Sequence, residues 1–268
     1  MNLPRSYLFV PGDRPERFDK AAASGADVVV LDLEDAVAPE RKALAREAIA
    51  AWLIPARADC VAVRINDAAA AEFHADLAML AAAGATHVML PKAESAAQVA
   101  SVCAALPGAR MLALIESAKG VVAVNEVAAA PGVTRLVFGT LDFALDLGIA
   151  PEPAGLAHAA ASIALASAAA GLAAPVAGVT PAIHDEALLL ADFAWARSLG
   201  FGAKLCIHPK QIVPLHDALR PTEAELAWAS HVIAAAQTAQ GAAVQVDGRM
   251  VDRPVLQRAL SMQARVRR

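Results

Sequence analysis

One supersecondary rhythm, repeated about eight times, constrains this chain more than any other feature. A short apolar run rich in Val, Ile and Leu is followed by a longer alanine-rich amphipathic stretch, and the pair then recurs. The strand-like runs are SYLFVP (6–11), DVVVLDLED (27–35), CVAVRIN (60–66), HVMLPKAES (87–95), ARMLALIES (109–117), TRLVFGTLDF (134–143), PVAGVT (175–180) and GAKLCIH (202–208). Asp13 as N-cap and Pro15 in the first turn predict a helix running through Ser24; further helices are predicted over 40–53 and over 69–83, the last stopping at Gly84. Strands alternating with helices pair in parallel through right-handed crossovers, and eight of them close a (β/α)8 TIM barrel. An open doubly wound sheet is the rival, but no strand here leads into a glycine-rich dinucleotide fingerprint.

The chain continues beyond the eighth run. Thr222 and Glu225 have the spacing of a capping box and open a helix running to about Gln240. The segment 244–252 then reads as a β-hairpin around Asp247-Gly248, and a basic helix follows. Residues 1–220 are therefore assigned to a catalytic barrel and 221–268 to a helix-hairpin-helix extension, a lid or oligomer contact too small to carry a core of its own.

Composition narrows the function classes. The hydrophobic fraction of 57% owes much to alanine, and no run of apolar residues is long enough to span a bilayer. The N-terminus lacks the long apolar region and small-residue cleavage site of a signal peptide. The 3 cysteines, Cys60, Cys103 and Cys206, are widely spaced in apolar runs, as reduced thiols of a cytoplasmic protein would be. With 27 acidic against 23 basic residues and a net charge of -4, the chain is neither a general nucleic-acid binder nor a membrane protein; only 265–268 is locally basic, and it reads as a solvated tail.

The charges inside the strands carry the functional information. Both faces of a strand in a parallel barrel are buried, so each charge there needs a reason. Asp32 and Glu34 share a face by the two-residue period, as do Arg64 and Asn66, Lys92 and Glu94, and Lys204 and His208. Nearly all lie at the C-terminal ends of their runs, where barrel enzymes gather their active sites. A purely structural ion-pair network is the bland reading, and it is poorly motivated because buried pairs seldom add net stability.

Glu116 and Asp142 end two consecutive runs. No Cys or His spacing beside them suggests zinc or another soft metal, whereas two carboxylates with room for water and substrate oxygens suit Mg2+. Arg64 can hold a substrate carboxylate through two parallel hydrogen bonds. Beside a divalent cation, that set binds an α-keto or α-hydroxy acid.

These residues sit in motifs that carry a resemblance. RSYLFVPGDRPERF, ADVVVLDLEDAV, AVRIN, VMLPKAES, LIESAKG, FGTLDFALDLG, GFGAKLCIHPKQI and VDGRMVDRP, in this order over almost the whole chain, resemble the citrate lyase β-subunit-like family. That family falls within the metal-dependent barrel aldolases that include malyl-CoA lyases. The resemblance implies Mg2+ on Glu116 and Asp142, the keto-acid carboxylate on Arg64, and Glu34 and Asp35 near the metal and its waters. It also implies coenzyme A phosphates or nucleotide at Arg14, Arg17 and Lys20, substrate contact at Thr140, and a lid aspartate, Asp252, that serves proton transfer in a neighbouring subunit's site. The implied reaction is reversible cleavage of a β-hydroxyacyl-CoA thioester to an acyl-CoA and an α-keto acid such as oxaloacetate, pyruvate or glyoxylate, in a homotrimer or hexamer.

Bland readings stand beside these. GDRPERFDK on its own is a solvated helix start, and the aspartate after a DG turn is usually a cap or an exposed charge. Lys92 is expected to pair with Glu94 rather than to form a Schiff base. His208 is expected to shape the site or bind a backbone group, and no catalytic histidine is assigned. Two alternative functions share the site: a carrier-protein-dependent or non-catalytic β subunit of a citrate lyase-type complex, docking an acyl carrier protein, and a malyl-CoA thioesterase or malate synthase-type activity.

Overall fold

Eight parallel strands close a barrel in chain order: β1 (Ser6–Pro11), β2 (Val28–Asp32), β3 (Val61–Arg64), β4 (His87–Leu90), β5 (Arg110–Ile115), β6 (Val133–Phe138), β7 (Ala173–Ala177) and β8 (Ala203–Cys206), with β8 pairing back onto β1. This is the (β/α)8 barrel that the repeat predicts. The computed structural model describes residues 3–53, 59–238, 244–246 and 249–266. Helices α1 (Phe18–Ala22), α2 (Lys42–Trp52), α3 (Phe73–Ala83), α4 (Ala96–Ala105), α5 (Ala118–Val122), α6 (Val124–Ala129), α7 (Thr140–Leu147), α8 (Pro153–Ala169) and α9 (Glu186–Ser198) form the connections. Among the described residues no helix is long and apolar enough to cross a membrane.

The strands are shorter than their apolar runs at the C-terminal end, because the last residues of each run leave the sheet to form the mouth of the barrel. The clearest case is 134–143: β6 stops at Phe138, and Thr140 begins α7, so Asp142 lies in a first helical turn and not at a strand end. Asp13 also departs from expectation. Arg14 occupies the N-cap position without a side-chain bond, and Asp13 instead takes Arg41 Nε at 2.5 Å, tying the first repeat to the second. The second helix opens with a 3-10 turn, Pro39–Arg41, before α2 begins. Gly84 ends α3 as predicted, at a φ of 65° that favours glycine.

One residue in two from every strand fills the barrel. Tyr7, Val28, Val30, Ala62, Met89, Leu112, Leu114, Val137, Val176, Ala203 and Leu205 form a single buried cluster, with Phe9 and Val179 packed on it. Fully burying a Val, Leu or Met of this kind is worth about 1.5–3 kcal/mol. The cluster also fixes which face of each strand looks inward. Counting in twos, Asp32 and Glu34 continue the inward row of Val28 and Val30, Arg64 that of Ala62, and Glu116 that of Leu112 and Leu114. By the same count Lys204 and His208 follow Cys206 on the outward row, while Lys92 and Glu94 lie past the end of β4, where the positive φ of Lys92 breaks the two-residue period. Lys204 is thus turned to the helices, whereas the Lys92 ammonium stands 3.6 Å from Asp67 and within electrostatic reach of Glu34 and Glu116 at the mouth.

The chain divides into two units, residues 1–214 and 215–268. α10 (Ile212–Ala218) runs over the division. The second unit contains α11 (Glu223–Thr238), β9 (Val244–Val246), β10 (Arg249–Val251) and α12 (Arg253–Val266). The capping box is present: Glu225 Oε2 accepts from Thr222 N at 2.8 Å, and Thr222 Oγ1 accepts from Glu225 N at 3.2 Å. β9 and β10 pair antiparallel, and the predicted Asp247-Gly248 turn lies outside the described residues, as do Arg267 and Arg268. Ala229, Val232, Val251 and Ala259 form a small apolar cluster, and the Arg258 guanidinium stacks 5.5 Å from the Trp228 ring.

Candidate active site

A cavity of about 340 Å3 opens at the C-terminal mouth of the barrel. Its polar lining is Asp32, Asp35, Arg64, Glu116, Thr140 and Asp142. Strand β2 delivers Asp32, whose carboxylate is fully used. It accepts Arg64 Nε at 2.7 Å and Arg64 Nη2 at 2.6 Å, then Glu34 N at 2.9 Å and Ala36 N at 3.1 Å from the turn that follows the strand. The guanidinium also lies 4.9 Å from the centre of the Phe9 ring. Burial opposes the Arg64 charge, but the hydrogen bonds and charge of Asp32, then Glu34 and Asp35, outweigh it and raise its pKa. The two-bond fork expected to hold a substrate carboxylate is thus engaged by Asp32, and Nη1 is the edge left over. Nη1 lies 2.9 Å from Glu34 Oε2 and 3.5 Å from Asp35.

Glu34 is buried, and its Oε2 has no hydrogen-bond partner, because the Arg64 N–H groups do not point at it despite the short ion-pair distance. Burial pushes its carboxyl up to about 8; Arg64 lowers it, and Glu116, Asp35 and Asp32 raise it further. Lys42 fixes the backbone here, its Nζ donating to the carbonyls of Leu33 and Glu34 and to Asn66 Oδ1.

Glu116, just past β5, is 4% exposed. Burial raises its pKa to about 7; the Lys92 N–H lowers it, the nearby Asp142 charge raises it and Arg64 lowers it. That N–H donates to Glu116 Oε1 at 2.8 Å from a residue held at a φ of 44°, the one non-glycine with positive φ among the described residues. Gly139 makes room on the other side, since a Cβ there would stand 2.5 Å from Glu116 Cβ and 2.7 Å from Oε2. Asp142 lines the cavity on α7. Asp146, one turn later, is engaged elsewhere as acceptor for Ala118 N at 2.7 Å.

The acidic groups outnumber the cations, one buried oxygen is orphaned, and two carboxyls hold their protons well above the usual carboxylate range, so a cation entering here would displace protons and be met by oxygen ligands. The donors are all oxygen, as Mg2+ prefers. Among the described residues no three His, Cys, Asp or Glu side chains close around an ion. Glu116 and Asp142 with positions left for water and substrate fit Mg2+, which takes few protein ligands.

The other expected residues are placed differently. Arg14 and Arg17 are exposed beside β1, at 3.8 Å from Asp13 and 3.9 Å from Glu16 respectively, and Lys20 is exposed on α1; none lines the cavity. Asp252, in the second unit, caps α12 by accepting Val255 N at 3.2 Å. Lys92 does not pair with Glu94. It stands 3.6 Å from Asp67, while Glu94 holds Lys119 at 2.9 Å and Ser117 Oγ at 2.6 Å. His208 binds a backbone group, its Nδ1 accepting Lys210 N at 3.1 Å. Asp32 and Lys42 were not among the expected site residues. The inward row could have found Asp32; Lys42, on a helix, carried no signal.

The HpcH/HpaI aldolase/citrate lyase family description matches residues 5–209. A citrate lyase subunit beta-like protein of Mycobacterium tuberculosis is 41% identical over 262 residues, covering 96% of this chain and 93% of its own. A (3S)-malyl-CoA thioesterase of Cereibacter sphaeroides is 36% identical over 255 residues, covering 92% and 89%. The crystal structure of CitE from Mycobacterium tuberculosis in complex with magnesium, acetoacetate and coenzyme A superposes with a TM-score of 0.89 at 39% identity, covering 99% of this chain and 98% of that one.

Proposed function

We infer the reaction of this chain from the family to which it belongs, the HpcH/HpaI aldolase/citrate lyase family. It is a Mg2+-dependent carbon–carbon lyase that cleaves a β-hydroxyacyl-CoA thioester to an acyl-CoA and an α-keto acid, and runs in reverse. The observation that carries this reading is the set of oxygen ligands at the barrel mouth: Glu116 and Asp142 line one cavity with Asp32, Asp35 and a single guanidinium, that of Arg64.

In our reading Glu116 and Asp142 hold the metal, and Thr140 lines the substrate's path. When bound, Mg2+ supplies Lewis acidity to a substrate oxygen. Arg64, fixed by Asp32, offers Nη1 and its charge to the carboxylate of the keto acid. In cleavage the β-hydroxyl loses its proton, the Cα–Cβ bond breaks, its electron pair passes to the thioester α-carbon, and that carbon takes a proton. Glu34 and Asp35 are assigned to the metal's waters and to proton transfer with the hydroxyl or a water, and Asp252 is assigned to proton transfer at the α-carbon from a neighbouring subunit. Arg14, Arg17 and Lys20 are assigned to the phosphates of coenzyme A.

We assign residues 1–220 to the catalytic barrel and 221–268 to a lid or oligomer contact, in a cytoplasmic homotrimer or hexamer. The free cysteines support the compartment, which cell fractionation tests. Mass by light scattering tests the assembly, and a monomer would remove the borrowed Asp252. The deciding experiment is keto-acid release from a panel of hydroxyacyl-CoA thioesters with and without Mg2+. Release that survives EDTA but is abolished by borohydride would replace this reading with a Schiff base. Malate rather than glyoxylate from malyl-CoA would favour the thioesterase reading, which the Cereibacter relative supports. Turnover only on acyl-carrier thioesters would favour the complex subunit.

A further inference from the structure

The cavity is chemically two-sided, and the barrel order says how. Strands β2 and β3 and the β5–α7 region supply the charges, whereas the neighbouring strands β7, β8 and β1 present Val179, Ile207, Leu205 and Phe9. Phe9, Val179 and Leu205 belong to, or pack on, the apolar cluster that fills the barrel, so this wall is the top of the core itself. Among the described residues lining the cavity, Arg64 is the one cation, and its fork is engaged by Asp32.

The wall is also fixed more firmly than packing requires. Val179 sits between two residues whose backbone is tied by buried polar groups. Lys204 Nζ donates to Gly178 O at 2.7 Å, Gln211 Nε2 donates to Thr180 O at 2.9 Å, and Thr180 Oγ1 donates to Asp192 Oδ2 at 2.6 Å. Lys204 and Gln211 are each 2% exposed and Thr180 0%. Gly178 leaves no space behind it, since a Cβ would meet Thr140 Cγ2 at 2.9 Å and Phe138 O at 3.0 Å. Burying an ammonium and an amide to hold three loop residues is costly, and what they hold in place is one valine facing the cavity.

This matters for the substrate assigned above, on whose reaction the inference rests. The carbinol carbon of a β-hydroxyacyl thioester bears a hydroxyl, a carboxylate, the acyl methylene and a fourth substituent. The two oxygen groups belong on the charged side, leaving the β7–β8–β1 wall for the fourth substituent. We propose that Val179 is a specificity-determining residue and that this wall selects thioesters whose fourth substituent is hydrogen or a short alkyl group over those bearing a second carboxylate there. Lys204 and Gln211 are positioning residues for it. A second carboxylate against Val179, Leu205 and Phe9 would be desolvated with no cation to meet it.

Malyl-, racemic citramalyl- and citryl-CoA differ at that position only by hydrogen, methyl and carboxymethyl, and serve as probes. The wild type with Mg2+ is expected to favour the better of the first two over citryl-CoA by at least tenfold in kcat/KM, and calorimetry should show pyruvate binding to the Mg2+-loaded protein at least tenfold more tightly than oxaloacetate. Val179→Lys should shrink or reverse both ratios at least tenfold with Mg2+ affinity unchanged. Lys204→Met, or Thr180→Val if that variant does not fold, should relax the kinetic ratio through KM more than kcat. Equal use of citryl-CoA by the wild type, or unchanged ratios in a folded, Mg2+-binding Val179→Lys protein, would overturn the proposal. If no thioester is cleaved but pyruvate still outbinds oxaloacetate, the lyase reading falls and the selective wall stands.

Discussion

Asp32 holds Arg64 by two parallel hydrogen bonds, 2.7 and 2.6 Å long, with the carboxylate 1% and the guanidinium 8% exposed. The pair joins the ends of neighbouring strands and leaves the third guanidinium nitrogen beside Glu34 and Asp35. Removing one partner of such a pair strands the other charge without water. Asp32→Ala should cost about 3–5 kcal/mol in urea unfolding, and Asp32→Asn less because it keeps an acceptor. A loss under about 1 kcal/mol would show that Arg64 finds water or Glu34 instead.

Glu116 and Asp142 should behave alike, and differently from Asp146. Glu116→Gln and Asp142→Asn are expected to weaken Mg2+ binding at least tenfold by calorimetry and to abolish turnover. Asp146→Asn should leave Mg2+ binding intact and only lower the melting temperature slightly, since that carboxylate serves Ala118 N. Loss of Mg2+ affinity on changing Asp146 alone would move the ligand assignment one helical turn.

The raised carboxyls predict how stability depends on pH without metal. Unfolded, Glu34 and Glu116 release their protons near the ordinary 4.5; folded, they hold them to about 8 and about 7. Between those limits the folded chain binds more protons than the unfolded one, so each step up in pH costs stability. The melting temperature of the EDTA-treated protein should therefore fall from pH 5 to 8 and then level. Stabilisation by Mg2+ should grow over the same window, because the ion replaces the protons; a pH-independent Mg2+ effect would exclude both groups from the site.

The cationic segment after β1 is tested through KM. Arg14→Ala with Lys20→Ala should raise KM for the CoA thioester severalfold while leaving the affinity for free keto acid unchanged. An unaltered KM would leave these side chains as the solvated start of a helix, which their exposure also allows.

Asp252 has a structural duty that any test must separate from chemistry, since it caps α12. Loss of such a cap costs about 1 kcal/mol, and asparagine caps as well as aspartate. Asp252→Asn should therefore keep the wild-type melting temperature and Mg2+ affinity while kcat falls at least tenfold. Full activity in that variant would reduce Asp252 to a cap.

Much of this protein was legible in the sequence because it follows from local periodicity. The eight apolar runs, their alternation with helices and the gathering of charges at their C-terminal ends needed no coordinates; nor did the αL stop at Gly84 or the Thr222–Glu225 capping box. Glu34, Arg64, Glu116 and Asp142 could be picked out as a charged set on the same grounds. A period of two, however, says which residues share a face and not which face is inward. Only closure of the barrel decided that Asp32, Arg64 and Glu116 look into the mouth while Lys204 looks away. Tertiary structure alone also gave the Arg64 fork to Asp32, put Asp142 on a helix, paired Lys92 with Asp67, and fixed Val179 between Lys204 and Gln211. Each of these joins residues distant in the chain, and such pairings are set by strand register and packing, which the order of residues along one segment does not encode.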